Sequence, residues 1–234
     1  MSINNQFLKL KLTAKPIDTS EKISDYSYGK IIRLKNADTF LTELYISNND
    51  LREVPKEVLQ FKFLEKLDLS FNKINELPPK LFTDSLKDLN MNSNALITLP
   101  STIAKSKLTR LLLFKNCLKE FKREWIVHAH LLELDISENY IMELPPDLFL
   151  SLRSIKILRI SGNPITFIPS SFNYLKQTLV EFQCSNCNLK RFPTIISFDN
   201  LELVDASANK LNQSIATSNV KWLYLNDNPI AILE

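Results

Sequence analysis

One pattern constrains this chain more than any other: Leu-x-x-Leu-x-Leu-x-x-Asn-x-Leu, with Ile, Val, Phe or Ala allowed at the apolar places, recurs from Leu41 onward. Its copies start at Leu41, Leu64, Leu86, Leu108, Leu131, Ile155, Leu179, Leu201 and Val220, so successive starts lie 23, 22, 22, 23, 24, 24, 22 and 19 residues apart. A unit this short cannot bury its own apolar face, and stacking each copy on the next is the physical remedy. Each copy opens with alternating apolar residues, such as Leu67 and Leu69 or Leu134 and Ile136. Period two predicts a strand with one buried face. Nine such strands side by side predict a single parallel sheet roughly 40 Å long, curved because the strand side is more compact than the returning side.

The ninth place of the units reads Asn49, Asn72, Asn94, Asn116, Asn139, Asn163, Cys187, Asn209 and Asn228. Where a strand turns inward its backbone loses sheet partners, and a short carboxamide with donors and an acceptor can replace them. The row therefore reads as a buried ladder, with Cys187 as a small, weakly donating substitute. Downstream, Val54-Pro55, Leu77-Pro78, Leu99-Pro100, Leu144-Pro145, Ile168-Pro169 and Phe192-Pro193 mark the start of the return, where proline sets the bend and needs no donor. The fourth unit departs: Lys122 follows Phe121 and no proline appears up to Trp125, which predicts a different helix or a local contact site there.

With these motifs in place, the chain resembles the leucine-rich repeat family, in its typical-length class with Leu-Pro returns. The resemblance implies an α/β solenoid, a horseshoe with a parallel concave β-sheet and short helical, 3₁₀ or irregular convex segments. It also implies that the concave sheet binds a protein or peptide, without implying one activity. Members serve as receptors, phosphatase-associated scaffolds, ubiquitin-ligase substrate readers and translocated bacterial effectors. The expected organisation is an N-terminal cap and partial repeat over residues 1–40, then nine repeats over residues 41–234, the last incomplete. An interaction arm is the competing reading of residues 1–40. At the other end, Ile230-Ala231-Ile232-Leu233 leaves apolar residues without obvious cover, so pairing with another chain through that end is expected as an option.

Composition narrows the function by exclusion. Lys and Arg number 29 against 26 Asp and Glu, a net charge of +3, which offers no general electrostatic footprint for nucleic acid. Only two glycines occur, Gly29 and Gly162, too far apart for a phosphate-cradling loop, so no cofactor is expected. No apolar run approaches a membrane span or a signal peptide. Three cysteines without a dense framework favour a reducing compartment. The location expected is therefore cytoplasmic, or delivery into a host cell by a specialised route.

Catalytic and metal readings fail on spacing. His128 and His130 fall on the expected convex side and lack the H-E-x-x-H arrangement with Glu133. Cys184-x-x-Cys187 has half-site spacing, but the alignment puts one thiol on a buried strand position and the other in the ladder. Asp68, Asp135 and Asp205 share a row at about 14 Å intervals, beyond the roughly 5 to 9.5 Å of paired acid and base.

Function is therefore sought on the outward strand positions. The third places read Glu43, Lys66, Asp88, Arg110, Glu133, Ile157, Glu181, Leu203 and Trp222; the alternating charges favour lateral ion pairs over a docking strip. The fifth places read Tyr45, Asp68, Asn90, Leu112, Asp135, Arg159, Gln183, Asp205 and Tyr224. Phe114 interrupts a small polar seventh row, and Phe71 stands at an eighth place. Aromatic and Arg side chains dominate interface hot spots, which selects Tyr45, Phe71, Leu112, Phe114, Arg159, Trp222 and Tyr224 as protein-binding candidates, with Asp135 expected to orient Arg159. The function expected is a non-catalytic interaction module or adaptor. The competing readings are a translocated effector and a recognition subunit of a phosphatase or ubiquitin-ligase complex.

Overall fold

A computed structural model describes the backbone of residues 8–11 and the full residues 41–126 and 130–230. Among the described residues, ten strands form one all-parallel sheet in strict chain order: β1 (Leu8–Lys11), β2 (Leu41–Tyr45), β3 (Lys66–Asp68), β4 (Asp88–Asn90), β5 (Arg110–Leu112), β6 (Glu133–Asp135), β7 (Ile157–Arg159), β8 (Glu181–Gln183), β9 (Leu203–Asp205) and β10 (Trp222–Tyr224). Strands β3 to β10 occupy the third to fifth places of their units, and β2 the first to fifth. Strand β1 adds a tenth alongside β2, with Leu10 opposite Leu44. Ile31–Leu34, read as a partial repeat, and Ala231–Leu233, read as an uncovered end, lie outside the described residues.

Register is identical at every junction between repeats. Glu43 faces Lys66, Lys66 faces Asp88, Asp88 faces Arg110, and so on to Leu203 facing Trp222. A one-residue slip would turn Leu44, Leu67, Leu89, Leu111 and Leu134, all fully buried, toward solvent. The returns carry 3₁₀ turns at Val58–Gln60, Pro79–Leu81, Ser101–Lys105, Arg123–Trp125 and Ser170–Leu175, and one α-helical turn, α1, at Leu148–Ser151. Phe172 sits at the centre of a phenyl cluster on this side, 5.3 Å from Phe149, 4.7 Å from Phe182 and 5.3 Å from Phe198.

The fourth return keeps the common plan despite its sequence. Lys122 adopts φ −90, ψ 133, close to the φ −70, ψ 147 of Pro100, and a 3₁₀ turn follows as elsewhere. Trp125 fills the inward place that Leu81 and Ile103 fill in earlier units and stacks edge-on against Phe121 at 5.4 Å. Aromatic packing holds the bend that proline sets in the neighbouring units, so no different helix is needed.

The ninth-place row is a hydrogen-bonded ladder. The Asn139 carboxamide oxygen accepts the Leu118 N–H at 3.0 Å, and its nitrogen donates to the carbonyls of Leu113, Ile136 and Ser137 at 2.9 to 3.0 Å. Asn72, Asn94, Asn116, Asn163, Asn209 and Asn228 repeat the scheme, each tying its own turn to the preceding unit. At Cys187 the thiol reaches the Ile160 and Ser185 carbonyls at 3.6 Å but supplies no acceptor, and the Ile165 N–H turns to Asn163 O at 2.8 Å instead. Replacing Asn139 by Ala should destabilise the chain by about 1–3 kcal/mol, because several buried backbone groups lose their partner. Cys187→Asn should raise the urea midpoint by restoring the missing rung. Equilibrium unfolding of both variants checks the pair of opposite signs.

Candidate functional site

A concave parallel sheet offers outward side chains in straight rows, and each row here is continuous across the repeats. The third-place row is largely neutralised from within. Glu43 pairs with Lys66 at 3.4 Å, and Arg110 bridges Asp88 at 3.3 Å and Glu133 at 2.7 Å. At β7 the third place holds Ile157, which would leave Glu133 and Glu181 facing each other across an apolar residue. Arg159, two residues on, reaches diagonally to both, with Nη1 2.7 Å from Glu133 and Nη2 2.8 Å from Glu181. Of the expected neighbour ion pairs, Glu43–Lys66, Asp88–Arg110 and Arg110–Glu133 are present, and Arg159 extends them into a continuous line from Asp88 to Glu181.

Arg159 is accordingly not oriented by Asp135. The Asp135 side chain is only 9% exposed, and its Oδ1 accepts the backbone N–H of Ser137 at 2.9 Å. Asp68 and Asp205 do the same for Ser70 and Ser207, and Asn90 does it for Asn92 at 3.1 Å. These fifth-place residues cap the strand ends through Asx-type turns. The variation in this row thus has a structural part: an oxygen two residues before an outward turn.

Leu112, expected as an outward binding residue, is buried. It is 5% exposed, lying in the row between Asn90 and Asp135, and the close lateral rows of a concave sheet cover so short a side chain. It forms no exposed pair with the half-buried Phe114, whose N–H donates to Asn92 Oδ1 at 2.9 Å. Tyr45 is half-buried, its hydroxyl donating to Glu43 Oε2 at 2.6 Å. Phe71 is 62% exposed at φ 55. The eighth place is left-handed in every repeat: Asn48, Phe71, Ser93, Lys115, Glu138, Gly162, Asn186, Ala208 and Asp227 all have φ between 50 and 67. Only one of them is the glycine that such a conformation favours, so residue type gave little warning of it.

Apolar surface remains open at the C-terminal side of the sheet. Trp222 and Tyr224, on β10, are 52% and 48% exposed, with partly exposed Leu203 opposite Trp222. The thiols of Cys184 and Cys187 are buried. Burial pushes Cys187 up to about 11 and raises Cys184 further from ionisation, so both stay protonated at neutral pH. Among the described residues, no group of three His, Cys, Asp or Glu side chains is placed to hold a metal ion. His128 lies outside the described residues.

The carboxyl groups divide by environment. Burial raises Asp135 above the usual Asp range, and the Ser137 hydrogen bonds only partly offset it. Burial opposes ionisation of Glu133 too, but hydrogen bonds and charge from Arg110 and Arg159 outweigh it and hold the group below its ordinary range. A raised folded-state value gives stability that is present below the unfolded value, roughly 3.9, and lost as pH rises through the folded one. Asp135→Asn keeps the acceptor oxygen and should therefore raise the melting temperature at pH 7, with the gain shrinking toward pH 4. Glu133→Gln should have the opposite sign at pH 7, its cost fading as pH falls below roughly 4.3. Melting curves from pH 3.5 to 8 test both.

The leucine-rich repeat family model matches residues 39–96 and 106–165. The chain is 30% identical over 95% of its length to adenylate cyclase of Schizosaccharomyces pombe, covering 13% of that protein. It is 32% identical over 57% of its length to the mouse leucine-rich repeat serine/threonine-protein kinase 1, covering 7%. The chain thus spans less than a seventh of the length of each of these relatives. The solved complex of Toll and Spatzle from Drosophila superposes with a TM-score of 0.69 at 23% identity, over 85% of this chain and 29% of that one. No helix among the described residues is long and apolar enough to cross a membrane. Half of the sequence matches the family model in two blocks, and the ladder, the returns and the parallel sheet all follow its plan: the chain belongs to the leucine-rich repeat family.

Proposed function

We propose that the chain is a non-catalytic interaction module that holds a protein or peptide on the concave sheet, centred on Trp222, Tyr224 and Leu203. The observation that carries this reading is the contrast along the sheet: charges from Asp88 to Glu181 are occupied by one another, while the two aromatics of β10 stand open beside Leu203. Aromatic residues in that setting bury large areas with little loss of side-chain freedom. Tyr45, Phe71 and Phe114 are secondary contacts in this reading, and Arg159 with Asp135 and Leu112 forms the rigid floor between them. The rigid solenoid orders little on binding, which keeps the cost of association low.

A second reading places the module as the recognition part of a larger regulatory assembly. It draws on the relatives, in which the similar segment is a small fraction of a kinase or a cyclase. A cytoplasmic setting suits the three free thiols Cys117, Cys184 and Cys187.

The test is capture of partners from the native cell with the intact chain and with Trp222→Ser/Tyr224→Ser. Both positions are exposed, so the unfolding midpoint should hold while capture falls by about tenfold or more. Undiminished capture by the double variant would remove this surface from the proposal, and an enzymatic turnover by the chain alone would overturn the module reading.

A further inference from the structure

Beside the sheet runs a second ladder. Backbone N–H groups at the tenth place donate to carbonyls at the eleventh place of the preceding unit: Lys73 to Leu51, Ala95 to Ile74, Cys117 to Leu96, Tyr140 to Leu118, Asn188 to Ile165 and Lys210 to Leu189, at 2.7 to 2.9 Å. The eleventh-place side chains point into the core, so the tenth and twelfth places on either side make up a flank of the solenoid, with consecutive units in adjacent rows. From the third unit on, this flank carries Ala95 and Ile97, Cys117 and Lys119, Tyr140 and Met142, Pro164 and Thr166, Asn188 and Lys190, then Lys210 and Asn212.

Two properties mark it. First, its large apolar residues are bare: Tyr140 is 60% exposed, Met142 66% and Ile97 63%, and Phe167 adjoins at the next place. Tyr140 and Met142, two residues apart in one unit, put two large apolar side chains in water side by side along the chain, and exposed apolar groups that gather on one face mark interaction surfaces. Secondly, every charged side chain in these two rows from the third unit on is a lysine. Lys119, Lys190 and Lys210 are all exposed, and none is in an ion pair among the described residues, whereas the concave charges from Asp88 to Glu181 in the line of Arg110 and Arg159 are paired. The neighbouring carboxylates Glu120 and Glu143 stand one place further on and line the convex cleft with Asp147, Glu120 being paired with Lys122.

We propose that this flank is a second docking surface, which seats an extended peptide segment bearing apolar side chains flanked by carboxylates. Tyr140 and Met142 receive the apolar side chains, while Lys119 on one side and Lys190 on the other receive the carboxylates. From the unit of Lys119 to that of Lys190 is three unit spacings, about 14 Å, which four to five residues of extended chain cover at about 3.3 Å each. Methionine suits this use because its flexible, polarisable side chain adapts to varied apolar partners.

The experiment pans a displayed library of twelve-residue peptides against the full chain and measures the selected sequences by fluorescence anisotropy. The expected peptides carry apolar residues between acidic ones. Their affinity should fall about tenfold or more in Tyr140→Ser/Met142→Ser and fall also in Lys119→Glu/Lys190→Glu. It should be unchanged in Trp222→Ser/Tyr224→Ser, which separates this surface from the concave one. Bound peptide should also slow thiol labelling of Cys117, which is partly exposed on this flank while Cys184 and Cys187 are buried. Selection of basic peptides, selection of none, or binding that survives in Tyr140→Ser/Met142→Ser would overturn the proposal.

Discussion

The carboxamide at the ninth place of seven units, from Asn72 to Asn228, joins two neighbours at once. Its oxygen takes an N–H from the turn of the preceding unit, and its nitrogen donates to carbonyls of both units, as Asn116 does to Met91 and Leu113 at 2.9 and 3.0 Å. A parallel strand of three residues has too few sheet bonds to fix its neighbour by itself. The ladder supplies the fixed spacing that lets apolar residues of successive units meet as one core and lets outward residues line up in rows. Cys187 breaks the ladder without disturbing the register, because the Ile165 N–H finds Asn163 O in the same turn.

Regular stacking has an electrostatic cost that the chain meets in an economical way. Identical units would place identical charges side by side, and alternation of sign along the third row turns that repulsion into pairing. Where the alternation fails at Ile157, Arg159 crosses from the fifth row to serve two glutamates. The concave centre is thereby stiff, charged and largely self-satisfied. In the proposed reading a partner is taken up instead at its C-terminal aromatics and on the flank, where large apolar side chains are exposed, and the sheet's middle serves to position those regions.

Much of this was legible before any coordinates. The starts of the nine units, the ladder, the return bends and the buried thiols of Cys184 and Cys187 follow from a period and from which places repeat one residue type. What escaped were properties set by the unit next door. Leu112 reads as an outward leucine and is covered by adjacent rows. Asp135 reads as a partner for Arg159, yet its oxygen is taken locally by the Ser137 N–H. The left-handed eighth place was hidden because Phe, Ser, Lys, Glu and Ala stand where a glycine would have announced it. Tyr140 and Met142 flank a core residue in a loop, and only the bond from the Tyr140 N–H to Leu118 O brings that loop beside its neighbour.

The sequence by itself determined the repeat length, the face of each strand that is buried and the family, because these depend on spacing along the chain. The tertiary structure alone decided which outward residues are open and which charges are spoken for. Those depend on distances between residues some two dozen positions apart, and lateral packing, rather than residue type, settles how much of each side chain water can reach.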